Sequence, residues 1–155
     1  MKKKKKPDNE IASNRQAFRD YDLIETFEAG IVLVGTEIKS LRDHGGNIRD
    51  AFVTIDENEA FLRQASIAPY KFGNIHNHEE RRSRKLLLHK YQILKIDMAL
   101  RTSGCTAVPL AMYFVKGRVK VKFAIAKGRK LHDKREAIKK KEVKKEIEKA
   151  SKLGR

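Results

Sequence analysis

Two alternating runs that meet at Gly117, TAVPLAMYFVKG and GRVKVKFAIAKG, constrain this chain more than any other feature. In the second, Val119, Val121, Phe123 and Ile125 recur every two residues, with Lys120 and Lys122 between them. A period of two is that of a strand with one face buried and one in water. Val108, Leu110, Met112 and Phe114 carry the same period in the first run, and Lys116-Gly117 supplies the turn, so the pair is expected to form a hairpin.

A second hairpin is expected upstream. NIRDAFVTI and AFLRQASIAPY flank the polar turn Asp56-Glu57-Asn58-Glu59, and Pro69 ends the later strand because it has no N–H for a ladder. Before it, the β-branched run in IVLVGTEIKSLRDHGGN gives way to a short helix stopped at Gly45-Gly46. Between the hairpins, Leu87, Tyr91, Leu94 and Met98 stand at helical spacing after a short strand through KLLL, and Gly104 ends that helix. Five or six strands, two hairpins and one or two short helices do not alternate as a parallel sheet requires. The pattern fits a mainly β fold, a small antiparallel barrel, with a mixed α+β sandwich as the alternative.

With 155 residues the chain reads as one domain with tails. Residues 1–13 form a Lys-rich flexible arm, order begins near Asn14 or Arg15, the barrel spans 14–126, and 127–155 is a basic tail. That tail holds 13 Lys or Arg against 5 Asp or Glu, half of the net +16. A pI near 10.0 points to a polyanion as partner, because each cation that neutralises a phosphate releases condensed counterions. No apolar run approaches the roughly 20 residues that span a bilayer, and Lys2–Lys6 precede Pro7 and polar residues, so a cytosolic protein without membrane partners is expected. The single cysteine, Cys105, rules out an intrachain disulfide and reads as a small residue near a strand.

Reacting groups are sparse. His76 and His78 could share a face of an extended segment, but the further ligands of a metal site are missing nearby. Glu25, Glu28 and Glu37 read as scattered carboxylates, and no glycine-rich phosphate loop follows a strand. No enzyme activity, metal or cofactor is expected. Binding chemistry is better represented. HNHEERRSRKLLLHK sets Arg81, Arg82, Arg84, Lys85 and Lys90 around an apolar centre, and guanidinium groups both grip phosphates and stack on bases. Lys39, Arg42, Asn14 and Arg15 extend this candidate RNA surface, whereas Lys120 and Lys122 read as plain solvent-side residues.

The stretches NRQAFRDYDLIETFEAGIVLVGTEIKSLRDHGGNIRDAF, SIAPY, RSRKLLLHK and VPLAMYFVKGRVKVKFAIAKGRKLHDKRE follow one another as in the SmpB family, the small protein B or SsrA-binding proteins. The resemblance runs from about Asn14 to Glu136. It implies an oligonucleotide-binding-type barrel that binds the tRNA-like end of tmRNA (SsrA RNA) and enters stalled bacterial ribosomes, where translation switches to a tag-encoding frame. The partners implied are tmRNA and the ribosome with its small-subunit rRNA, not DNA. A permanent ribosomal component is the competing reading, and a nuclease using Glu28 and Glu37 a remote one.

By position, the resemblance carries RNA-binding roles to Asn14, Tyr21, Glu28 and Leu87. Glu28 would accept from a base or ribose hydroxyl, or orient a neighbouring arginine. Leu87, central in KLLLH, is expected to pack in the interior and act indirectly, and Tyr21 offers either a stacking face or a core ring. The tail residues Lys127, Arg129, Lys130, His132, Asp133, Lys134 and Arg135 match the family segment that occupies the decoding centre. The resemblance implies a tail disordered when free and helical in the empty message channel. Glu136 with Lys140 and Glu148 with Lys152 suit such a helix, each pair adding only about 0.2–0.5 kcal/mol. Two positions depart from the family pattern. Glu80 stands where many relatives have Pro, which implies a looser loop, and Ala150-Ser151 replace a bulky apolar pair.

Overall fold

The computed structural model describes residues 9–73, 76–102 and 104–129. The chain runs β1 (Glu10–Ser13), α1 (Ala17–Asp20), β2 (Tyr21–Ile31), α2 (Gly35–His44), β3 (Phe52–Asp56), β4 (Glu59–Arg63), β5 (Arg84–Leu87), α3 (Lys90–Leu100), β6 (Cys105–Val115) and β7 (Arg118–Gly128). All strand pairs are antiparallel, in the order β1-β6-β3-β4-β5-β2-β7, and β6 also pairs β7. That extra pairing closes a ring of six strands, so the expected small barrel forms. The seams are short: β3 meets β6 through Val53 and Ala107, and β2 meets β5 through Gly30–Leu87 and Ile31–Leu86.

Both expected hairpins form on two-residue turns. Glu57 and Asn58 have φ of 48° and 62°, and Lys116 and Gly117 have 48° and 77°. Positive φ at both central positions gives the twist that matches the flanking strands. Val119, Val121, Phe123 and Ile125 all point into the core, where Phe123 stacks on Phe27 at 5.6 Å between centroids.

The first alternating run behaves differently. A register shift between Pro109 and Ala111 puts Ala107 and Met112 in the main core but Val108 and Leu110 on the opposite face of the sheet. There they pack with Ala17, Ala124 and Ala126 beneath α1, beside half-buried Tyr21 and Leu23. Pro109 cannot donate to a ladder, so a bulge falls there and exchanges the two faces of the strand.

Order also begins earlier than expected. Residues 10–13 are a strand rather than part of an arm, because β1 fills the stretch of the β6 edge beyond β3, pairing Ala12 with Met112 and Ser13 with Ala111. At the other end β7 continues to Gly128. Arg129 then donates its backbone N–H to the Asp20 carbonyl (3.0 Å) and its Nε to Asp22 Oδ1 (2.8 Å). Among the described residues no helix is long and apolar enough to cross a membrane.

Candidate nucleic-acid interface

The register of β2 against β7 builds the site. Glu28 lies opposite Lys122 and Gly30 opposite Lys120, and across β7 these lysines face Ala111 and Tyr113 of β6. Period two therefore sends Glu28, Lys122, Lys120 and Tyr113 to the same outer face of the sheet. The Tyr113 hydroxyl donates to Glu28 Oε2. Burial, then the hydrogen bond and the negative charge of Glu28, push the Tyr113 phenol well above its ordinary range. Thr26, Glu28, Tyr113 and Lys122 line one shallow cleft, and Gly30, Leu87, Arg118 and Lys120 line the next. The result is an open, cationic strip with a ring and a carboxylate set into it.

Leu87 corrects its expectation. It is 55% exposed, while Leu86 is buried, because β5 alternates from buried Arg84 through exposed Lys85. An added Cβ on Gly30 would lie 3.4 Å from the Leu87 Cβ, so Leu87 stands over the glycine on the outer face. Tyr91, Leu94 and Met98 of α3 are exposed as well. The helix turns Ile96 to the core instead.

Arg84 also corrects its expectation. Expected among the RNA-facing cations, it has no exposed side-chain surface. Its Nε donates to Glu37 Oε2, its Nη1 to the carbonyls of Ala65 (2.8 Å) and Arg82 (3.1 Å), and its Nη2 to that of Glu80 (3.0 Å). Arg82, half-buried, donates to Glu37 Oε1, which also accepts the Val34 N–H (3.0 Å) at the start of α2. Burial alone would raise the Glu37 carboxyl, but Arg82, Val34 and Arg84 outweigh it and hold it below its ordinary value. A charge buried this deeply persists because every polar atom is paired. Glu37 is thus an anchor, on a different part of the fold from Glu28, and the two do not form an acid–base pair. The Glu80 loop is fastened rather than loosened: its carbonyl accepts the Ile67 N–H (3.0 Å) and its carboxylate the Ser66 hydroxyl (2.8 Å).

The remaining expected residues scatter. Asn14 is buried, with its Nδ2 donating to the Pro109 carbonyl (3.2 Å), at the floor of a cleft rimmed by Arg15, Arg19 and Arg49. Tyr21 serves as a half-buried ring of the second apolar cluster. Lys39 lies 5.6 Å over the Tyr70 ring, Arg42 5.6 Å over Phe114, and Lys85 pairs with Glu59 at 3.1 Å. Lys127 is an exposed residue of β7. Lys130, His132, Asp133, Lys134 and Arg135 lie outside the described residues. Among the described residues no group of three or more His, Cys, Asp or Glu could hold a metal; His78 is engaged by Thr36 (2.9 Å) and the Ile67 carbonyl (2.8 Å). Lys120 and Lys122, read from sequence as plain solvent residues, share their face with Glu28. Their alternation signalled exposure, but the strand opposite them was not legible.

Comparison with known proteins covers nearly the whole chain. The family model described as "SmpB protein" matches residues 11–153. The SsrA-binding protein of Chlamydia muridarum is 59% identical over 143 residues, 92% of this chain and 95% of that one. The SsrA-binding protein of Fervidobacterium nodosum is 52% identical over 146 residues, 94% of this chain and 98% of its own. A solved chain described as "tmRNA-SmpB: a journey to the center of the bacterial ribosome" superposes with a TM-score of 0.67 at 40% identity, covering 83% of this chain and 94% of that one.

Proposed function

This chain belongs to the SmpB family, and from that premise we propose that it binds the tRNA-like domain of tmRNA through the outer face of β2 and β7 and carries it to stalled bacterial ribosomes. The observation that carries this reading is the register that sets Glu28 opposite Lys122 and Gly30 opposite Lys120, with exposed Leu87 beside them. Cations on such a strip neutralise phosphates, Glu28 and Tyr113 hydrogen-bond to a base edge or 2′-hydroxyl, and Leu87 covers an apolar face of the ribose or base. The strip is shallow and open, which suits the minor-groove side and loops of a folded RNA better than a small molecule.

The segment after Arg129 acts on the ribosome in this reading, with His132 at the decoding nucleotides and the following cations on flanking phosphates. Its root is held to Asp20 and Asp22, so the segment departs from a defined point on the barrel. The protein acts by binding, not catalysis, and its partners place it in the bacterial cytoplasm. The test is affinity for the tRNA-like domain, against an unrelated RNA of equal length, of the full chain and of a version ending at Arg129. Retained preference in the shortened protein assigns recognition to the barrel. Lost preference would move it to the tail and overturn the assignment.

A further inference from the structure

A second exposed surface lies around α2 from the sheet face, on the loop residues 69–73, with residues 76–78 packed beneath them. The loop is fastened from within. Asn77 accepts the Tyr70 N–H on Oδ1 (3.0 Å) and donates Nδ2 to the Tyr70 carbonyl (2.7 Å), while the Gly73 N–H closes a turn onto the same carbonyl (2.9 Å). A Cβ on Gly73 would come within 2.8 Å of the Asn77 side-chain amide, so a larger residue there would have to displace the group that braces the turn. The loop's base is tied to α2 by the Ser40 hydroxyl, which donates to the Ala68 carbonyl (2.6 Å), and by His78 against Thr36.

What this bracing presents to water is Phe72, 71% exposed. A single exposed phenylalanine needs no explanation. Here, however, Tyr70 meets Phe72 edge-on at 5.6 Å and 70°, Lys71 Nζ lies 5.8 Å from the Phe72 centroid, and Lys39 Nζ sits over Tyr70. Two rings flanked by two ammonium groups on a braced loop have the composition of a base-stacking platform, in which a ring takes the base and the cations take its phosphates. Ile38 lines the groove with Leu87 and Arg118, and Lys39, about 100° further round the helix, reaches the platform. An RNA seated on the sheet face thus needs only to pass over α2 to arrive there.

We propose that Phe72 stacks on an unpaired base of the same tRNA-like domain that the sheet face binds, with Lys71 and Lys39 holding the adjoining phosphates. This rests on the RNA-binding reading above and adds a contact to it. The experiment compares Phe72→Leu, Lys71→Gln and Lys122→Gln with the unsubstituted full chain for affinity to the tRNA-like domain across a salt series. Phe72→Leu removes the ring but keeps an apolar side chain at an exposed position, so its melting temperature serves as the folding control. The expected result is a loss of roughly tenfold for Phe72→Leu with an unchanged salt slope, and a reduced slope for Lys71→Gln. If Phe72→Leu binds like the unsubstituted chain while Lys122→Gln weakens binding, the platform is overturned and the sheet-face reading stands. If neither changes affinity, the RNA-binding face itself fails, and the platform with it.

Discussion

Glu37 and Arg84, 47 residues apart in sequence, form an ion pair in which neither side chain reaches solvent. The pair joins the first turn of α2 to the first residue of β5. Through Arg84 it also collects the carbonyls of Ala65, Arg82 and Glu80, which pins the long connection between β4 and β5. Removing Arg84 leaves the Glu37 carboxylate with Arg82 and the Val34 N–H alone and strips the donor from the carbonyls of Ala65 and Glu80, and breaking a buried pair in this way costs about 3–5 kcal/mol. Arg84→Ala should therefore destabilise the barrel by that amount in denaturant unfolding. At a concentration where the variant is still folded, its affinity for the tRNA-like domain should be unchanged, since Arg84 reaches no surface.

The same pair sets an acid dependence. Glu37 titrates below its ordinary value of 4.5 in the folded protein, so its contribution to stability is present above that value and is lost as pH falls toward and through the folded one. The stability difference between the unsubstituted protein and Glu37→Gln, measured by urea unfolding, should be constant near neutrality and shrink below about pH 4.5. A difference that stays constant into strong acid would remove the charge from the account.

Leu86 and Leu87 are adjacent, yet only the first is buried. Leu86→Ala is expected to cost about 2–5 kcal/mol of stability, whereas Leu87→Ala should cost under about 0.5 kcal/mol and instead weaken RNA binding. Thermal melts and binding isotherms of the two variants separate the effects.

On the sheet face, Lys122→Ala should lower affinity for the tRNA-like domain and reduce the slope of log K against log salt by about one. Loss of affinity with an unchanged slope would mean that Lys122 meets no phosphate.

The Tyr113 phenol reports on Glu28. Its ionisation lies above the ordinary tyrosine range because it is partly buried and donates to a carboxylate, so absorbance titration should show the Tyr113 phenol resisting deprotonation. Glu28→Gln removes the negative charge, and the Tyr113 titration should move down toward the ordinary tyrosine range.

Much of the fold was legible beforehand. Alternation located β7, and the turns at Glu57-Asn58 and Lys116-Gly117 located both hairpins, because period two and positive φ are local properties. The family was legible too, carried by stretches such as GTEIKSLR and KGRKLHDKRE. The candidate site was less so. Glu28 and Leu87 came only from the resemblance, while Lys120 and Lys122 were visible as outward-facing residues without their neighbours.

β1 was missed for a related reason. Four residues after a lysine run carry little signal of their own and become a strand because β6 has an unpaired stretch of edge beside Met112 and Ala111. Inside or outside, by contrast, turns on a single residue of register. A bulge at Pro109 exchanged the faces of β6, and one step along RKLL separated the buried Arg84 and Leu86 from the exposed Lys85 and Leu87.

Sequence by itself determined the two hairpins, their turns and the charge, since these follow from residue types and spacings within a few positions, whereas β2 over Tyr21–Ile31 took its place from pairing with β7. Which cations share a face and which is locked inside was decided by tertiary structure alone. Arginine and lysine look alike as charges along a chain, and only a carboxylate brought from 47 residues away makes burying one of them affordable.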